Sequence, residues 1–152
     1  MLDLDTIDRA ILRFLQQDAS ASMSDISETV GISSSPCWKR IKRLEDAGAI
    51  TKRVALLDAE ALGFGLVGYI RIRTKDHDEH WLDKFARGIK AVPEVTECHR
   101  MTGDVDYLVK IIVRDMADYD RVYKKLISIA PMADVSGNFS MERLKYTTEL
   151  PL

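Results

Sequence analysis

Apolar residues in the first fifty positions recur at helical spacing, and beyond them the period changes. Ile7, Ile11, Leu12, Phe14 and Leu15 mark one helix, opening near Asp5-Thr6, where a short polar side chain caps free N–H groups. Ile26 and Val30 mark a second, short helix, opened by Ser24 and stopped by Gly31. A third follows Ser33-Ser34-Ser35, with Pro36 in its first turn, where a missing N–H costs nothing. Its spacing turns Trp38, Ile41 and Leu44 inward and ends at Gly48. Only Gly31-Ile32-Ser33 separates the second and third helices, so the three form one compact unit.

After Gly48 the pattern predicts a strand over 54–57 and a single helical turn over 59–62, before the Gly63-Phe64-Gly65 break. A β-branched and aromatic run predicts a strand over 66–74. A helix over 80–90 turns Trp81, Leu82, Phe85 and Ile89 inward and closes before Pro93. Strands over 95–101 and 107–113 flank a turn at Gly103-Asp104. Tyr119, Val122, Tyr123, Leu126 and Ile127 then mark a helix ended by Pro131, and 135–146 reads as a long last strand. The order β-α-β-β-α-β is that of a ferredoxin-like sheet, four antiparallel strands with two crossover helices on one face. The fold class is therefore α+β, with a helix-turn-helix domain over 1–50, a linking strand and turn over 51–65, and the sheet domain over 66–152. A helical unit of about 50 residues is marginal alone. The sheet face without helices needs a cover, and a second copy of the chain supplies one, so a sheet-to-sheet dimer is expected.

Composition narrows the class. Among 152 residues, 46% are apolar and 30% charged, which excludes disorder and low complexity. No run approaches the roughly 18 apolar residues of a membrane span, and Met1-Leu2-Asp3-Leu4-Asp5 is too acidic for a signal peptide. Two cysteines, Cys37 and Cys98, make no disulfide framework, which points to a reducing, cytoplasmic setting. The net charge of −2 argues against nucleic acid, but its distribution argues for it. Six cations (Lys39, Arg40, Lys42, Arg43, Lys52, Arg53) stand between positions 39 and 53 against only Glu45 and Asp46, a local +4.

That window carries the candidate DNA contacts. Lys39, Arg40, Lys42 and Arg43 lie on the flanks and outer face of the third helix, with Ser33, Ser34 and Ser35 at its start. There, hydroxyls and free N–H groups suit phosphate. A helix-turn-helix inserts its second helix N-terminus first into the major groove, with small polar groups near bases and cations near phosphates. The expected contact set is Ser33, Ser34, Ser35, Trp38, Lys39, Arg40, Lys42 and Arg43, with Lys52 and Arg53 reaching the flanking backbone. An ordinary solvated basic face is the competing reading.

A second constellation is Met101, Thr102, Gly103, Asp104, Asp106 and Tyr107. A glycine turn offers amide donors for the carboxylate of an amino acid, and the aspartates are acceptors for its ammonium. A plain hairpin with solvated aspartates explains the same residues equally well. Ser136, Asn138 and Ser140 share one face of the last strand, as a polar pocket or as an exposed edge. Cys98, His99, His77 and His80 are the soft-ligand candidates. No C-x-x-C or H-E-x-x-H spacing occurs, nor any G-x-S-x-G, P-loop or G-x-G-x-x-G, so no metal, cofactor or catalytic residue is expected.

With these residues together the chain resembles the Lrp/AsnC ("feast/famine") transcription regulators along nearly its whole length. The resemblance rests on Leu4-Asp5-x-x-Asp8-x-x-Ile11-Leu12-x-x-Leu15-Gln16, Asp25-Ile26-Ser27-x-x-Val30-Gly31 and Ser35-Pro36-Cys37. It continues through Arg40-x-x-Arg43-Leu44-Glu45-x-x-Gly48-x-Ile50, Gly103-x-x-Asp106-Tyr107-Leu108 and Lys145-Tyr146-Thr147-Thr148-x-Leu150-Pro151-Leu152. Ser27 departs from the alanine usual in the family, and is expected at the edge of the contact between the first two helices. The resemblance implies a winged-type helix-turn-helix joined to a sensor domain, with double-stranded DNA as partner. It implies dimers assembling further, commonly into octamers, and an amino-acid effector bound between dimers near 102–107 and 136–140. Pro36 to Arg40 and the closing segment look most like a subgroup containing cysteine-responsive regulators, so cysteine, or another small or apolar amino acid, is the expected effector. Enzymes on the same two-domain plan, tetrapyrrole (sirohaem-type) decarboxylases, would use His99 and Arg100. A storage-type amino-acid binder is a third class, and predicts no affinity for DNA.

Overall fold

The computed structural model describes residues 2–75 and 78–152. His77, one of the candidate ligands, lies outside the described residues. The order of elements is α1 (Thr6–Gln17), α2 (Met23–Val30), α3 (Ser34–Asp46), β1 (Leu66–Arg73), α4 (Glu79–Lys90), β2 (Val95–Arg100), β3 (Tyr107–Val113), α5 (Met116–Ile129) and β4 (Asp134–Phe139). Two compact units result, one comprising the chain through Leu56 together with Lys145–Leu152, the other Leu57–Leu144. The last eight residues thus group with the helical unit and not with the sheet.

In the helical unit, α1 is opened by Asp5, whose side chain accepts from the Asp8 N–H while Asp8 accepts from the Asp5 N–H, a reciprocal cap. The cap of α2 is Ser22 paired with Asp25, two residues before the expected Ser24. Gly31 closes α2 at φ +74, a conformation a side chain would strain. Ile11, Leu12, Ile26, Val30, Cys37, Ile41 and Leu44 form the core, and Leu152 packs against it. The closing segment is held on α1: the Gln16 amide exchanges hydrogen bonds with the Leu150 backbone, and Arg13 Nε donates to the Leu152 carbonyl at 2.6 Å.

The second unit is an antiparallel sheet in the order β2-β3-β1-β4, the ferredoxin-like arrangement. Ile70, Ile72, Val109, Ile111 and Val113 face Trp81, Phe85, Ile89, Val122 and Leu126 of the two helices. Trp81 stacks on Phe85 with ring centroids 4.9 Å apart, and Tyr107 leans on both. The helices approach closely at Gly88, where an added Cβ would lie 2.3 Å from Ile129. Ile129 therefore fills the contact, and Ile127, expected inward, is exposed.

Two expected strands differ. Residues 54–57 form no strand, because a strand needs a neighbour for its backbone groups and none of the described residues pairs with them. Val54, Leu56 and Leu57 remain exposed. The last strand stops at Phe139 and does not run to 146. Its partner β1 begins at Leu66, so the ladder ends when Gly68 meets Phe139 and the Ser140 N–H reaches the Val67 carbonyl.

Candidate nucleic-acid interface and effector loop

The outer face of α3 follows from what its inner face buries. Cys37, Ile41 and Leu44 point into the core, and Cys37 is fully buried. The expectation that Trp38 points inward is wrong: it is 55% exposed. Both sets fit a helical stripe, and the deciding factor is space. The three-residue turn brings α2 against the start of α3, where a thiol fits and an indole does not. The Cys37 thiol, removed from water, has its pKa raised by burial. Trp38, Lys39, Lys42, Arg43, Asp46 and Ala47 instead line a shallow hollow of about 510 Å³ along α3.

The serines at the start of α3 divide their work. Ser33 caps the helix with its backbone conformation and makes no side-chain cap bond. Ser34 shares a hydrogen bond of 3.1 Å with Ser27 of α2. Ser27 is 5% exposed and donates its one hydroxyl hydrogen to the Ser24 carbonyl at 2.9 Å, so it accepts from Ser34. Its expected place, at the edge of the contact between α1 and α2, is therefore corrected. It sits buried between α2 and α3, and its polarity is absorbed by Ser34, whose hydroxyl is occupied from within the protein. Ser33 and Ser35 are exposed.

The cations are not equivalent. Arg40 donates to Asp5 at 2.6 Å and to Asp8 at 2.8 Å, and Arg43 pairs with the other oxygen of Asp8. Asp8 is 1% exposed and is the centre of this cluster. The hydrogen bonds of the Asp8 N–H and then of Arg40 hold the Asp5 carboxyl below its ordinary range, and Asp5 in turn raises Arg40. Lys42 pairs with Asp46 at 2.7 Å, which raises the lysine, and Arg53 reaches Glu45 at 3.2 Å. Among the described residues, Lys39 and Lys52 have no ion pair.

Tertiary structure thus brings Asp5 and Asp8 into the basic window and lowers its local charge from about +4 to about +2. Arg40 and Arg43 fasten α3 to α1. Asp5, Asp8 and Ser27 are the residues that sequence reasoning about the interface missed. A signal was present: Asp8 falls in the apolar stripe of Ile11, Leu12 and Leu15, at the spacing of one helical face.

The effector constellation is only partly assembled. Gly103 turns the chain at φ +97, and Met101, Thr102 and Asp104 are exposed around it. Asp106 is committed to the fold, its carboxylate accepting from the Thr74 N–H at 2.8 Å and its own N–H donating to the Ile72 carbonyl. Tyr107 is buried against Trp81 and Phe85, and burial raises its phenol. Ser136 and Asn138 lie on the helix-free face beside Arg71 and Tyr69, with Arg71 Nε donating to Ser136 at 3.3 Å. Ser140 stands beside Val67, five residues along β1 from Ile72, where the loop joins the sheet. At about 3.4 Å per residue that is roughly 17 Å, so one small ligand does not span from the loop to Ser140.

The remaining candidates separate. Cys98 stands opposite Val109 and Arg100 opposite Tyr107, on the helix side of β2. His99 stands opposite Leu108 on the other side, 3.3 Å from Glu97. The His99 and Arg100 of the tetrapyrrole reading therefore project to opposite faces. Among the described residues, no group of three or more His, Cys, Asp or Glu gathers as a metal site, and no helix is long and apolar enough to cross a membrane.

Comparison with known proteins gives this geometry its class. Residues 4–51 match a winged helix-turn-helix DNA-binding family, and residues 67–150 match the Lrp/AsnC ligand binding domain. The chain belongs to the Lrp/AsnC family of transcription regulators. A glutamate uptake regulatory protein of Zymomonas mobilis is 47% identical over 149 residues, covering 98% of this chain and 91% of the relative. The DNA-binding transcriptional activator DecR of Escherichia coli is 45% identical over 150 residues, covering 98% and 99%. A crystal structure of an AsnC family regulator from Agrobacterium tumefaciens matches with a TM-score of 0.94 at 45% identity, over 97% of each chain. A Neisseria meningitidis transcriptional regulator in complex with L-methionine matches with a TM-score of 0.93 at 35% identity, over 98% of this chain and 97% of that one. These relatives are regulators, and the α+β reading with its helix-turn-helix and sensor sheet agrees with them.

Proposed function

We propose that this chain is an amino-acid-responsive regulator that places α3 in the major groove and binds its effector between dimers, working in the cytoplasm without a cofactor. The observation that carries this reading is the outward face of α3, where Ser35, Trp38 and Lys39 stand exposed on a helix whose depth is set by the buried Asp8. Arg40 and Arg43 contribute their positive field and hold the helix in place, and Lys39, Lys42, Lys52 and Arg53 supply the phosphate contacts. Two such helices in a dimer make symmetric half-sites the tight ones.

Several surfaces suit a second copy. The helix-free sheet face carries Tyr69, Leu108 and Ile112, and the backbone of residues 54–57 pairs with none of the described residues. Further assembly of dimers, to an octamer in this reading, brings a second loop against Met101–Asp106 and completes a site that one chain leaves open. Cysteine is the first effector to test, followed by other small or apolar amino acids. The methionine complex of the Neisseria meningitidis relative supports a pocket of that class.

A thermal-shift screen of the twenty amino acids, read beside duplex-binding titrations in salt, tests both halves. One or a few amino acids raise the melting temperature, because a ligand bound only by the folded state stabilises it. Asp104→Ala abolishes that shift and leaves DNA binding intact. Duplex affinity falls steeply as salt rises, and Lys39→Ala flattens the log–log slope by about one per recognition helix. A salt-independent affinity sinks the interface. A flat amino-acid screen sinks the effector site.

A further inference from the structure

We propose that Trp38 reads thymine methyl groups in the major groove, and that this apolar contact selects the sequences α3 prefers. The proposal rests on the DNA-binding reading above and adds the chemical group that is recognised. A recognition helix enters the groove with its first two turns, so the side chains able to reach base edges are those near its N-terminus that point away from the core. On α3 these are Ser34, Ser35, Pro36, Trp38 and Lys39, since Cys37 is buried, and the Ser34 hydroxyl is already bonded to Ser27.

The arginines that usually read guanine are engaged within the fold, and Lys39 is the free cation of the first two turns among the described residues. Arg40 and Arg43 are bound to Asp8, and Lys42 to Asp46. The indole is the large apolar side chain that α3 leaves exposed, at 55%, beside the hollow along the helix. A large apolar group left in water costs free energy, which is recovered when an apolar partner covers it. Among unmodified base edges in the major groove the one apolar group is the thymine C5-methyl. Lys39, exposed one position further along, is the cation nearest in sequence to supply the accompanying phosphate contact.

The test uses the full-length protein and a duplex it selects from a random pool. Each thymine in the selected half-site is replaced in turn by deoxyuridine, which removes the methyl and nothing else. At one or two positions per half-site, wild-type affinity falls about fourfold, the factor that burying one methyl-sized group supplies. Trp38→Ala lowers affinity for the thymine duplex and removes the difference between thymine and uracil. Trp38→Phe keeps part of it. The exposed side chain supports no core, so both variants retain the melting temperature of the wild type.

A flat uracil scan of the wild type overturns the proposal, as does a Trp38→Ala variant that loses affinity equally for every sequence or keeps the thymine preference. In each of these outcomes the protein still binds DNA and the broader reading stands. If the wild type binds no duplex at low salt, the broader reading falls, and this proposal falls with it.

Discussion

Asp8 shows how one buried carboxylate sets an exposed surface. It caps α1 and receives both Arg40 and Arg43 while being itself almost wholly out of water. Removing it leaves Arg43 without its carboxylate and Arg40 with Asp5 alone, so the fastening of α3 to α1 is weakened. Asp8→Ala is expected to cost about 1–3 kcal/mol, a drop of several degrees in the melting of the helical unit by circular dichroism. Its DNA affinity falls in parallel, although Asp8 touches no DNA in this reading. Arg40→Ala behaves similarly, because it strands a buried carboxylate on Arg43 alone, so its loss of DNA binding is not by itself proof of a phosphate contact. The two cysteines separate in the same way. Cys37 is enclosed in the core, whereas Cys98 is exposed on an edge strand, its thiol raised only by the apolar side chains it stands beside in an open hollow on the helix side. Iodoacetamide on the native protein is expected to label Cys98 alone, and a second equivalent appears by mass spectrometry only in denaturant.

Among the elements, α4 and α5 depend on each other through a single missing side chain. A methyl at Gly88 would lie 2.3 Å from a Cγ atom of the half-buried Ile129 and 3.1 Å from its Cβ, so a rotamer change of this β-branched side chain does not clear it. Gly88→Ala is expected to destabilise the sheet unit by about 1–3 kcal/mol as an overpacked contact, although alanine favours helix. Thermal unfolding followed through Trp81 fluorescence in a Trp38→Phe background measures it. Element identity was well marked in the chain: β3 has its expected bounds, and the capping aspartate and the left-handed glycine stand where the pattern places α1 and the end of α2. The failures have one cause. The stripe 38-41-44 is as helical as 37-41-44, and strands over 54–57 and 140–146 have suitable residues. Whether each is realised depends on a neighbour: the room under α2, a partner for residues 54–57, and the point at which β1 begins.

For the whole molecule, acid acts through carboxylates that the fold has paired. Glu94 lies mostly buried beside Arg121, whose hydrogen bond holds it below the ordinary 4.5, and Asp118 is lowered by the same guanidinium. A carboxylate with a depressed folded value contributes its full stability above the unfolded value and loses it as pH falls through the folded one. The melting temperature of the sheet unit is therefore level at neutral pH and declines below about pH 4.5. Glu94→Gln gives a lower plateau and a shallower decline in calorimetric scans across that window.

The chain by itself determined the α+β class, the helix-turn-helix with its basic third helix, and the order of strands and helices. It could do so because amphipathic period, caps and turn residues act within a few positions. The tertiary structure decided which cations remain free, which face Trp38 takes, what Ser34 and Asp106 bind, and where β4 ends. These depend on groups from different elements meeting, most of all distant ones, as Asp8 meets Arg40 and Asp106 meets Thr74. The basic window is +4 along the sequence and near +2 in space, because proximity in the fold, and not along the chain, sets the field a partner meets.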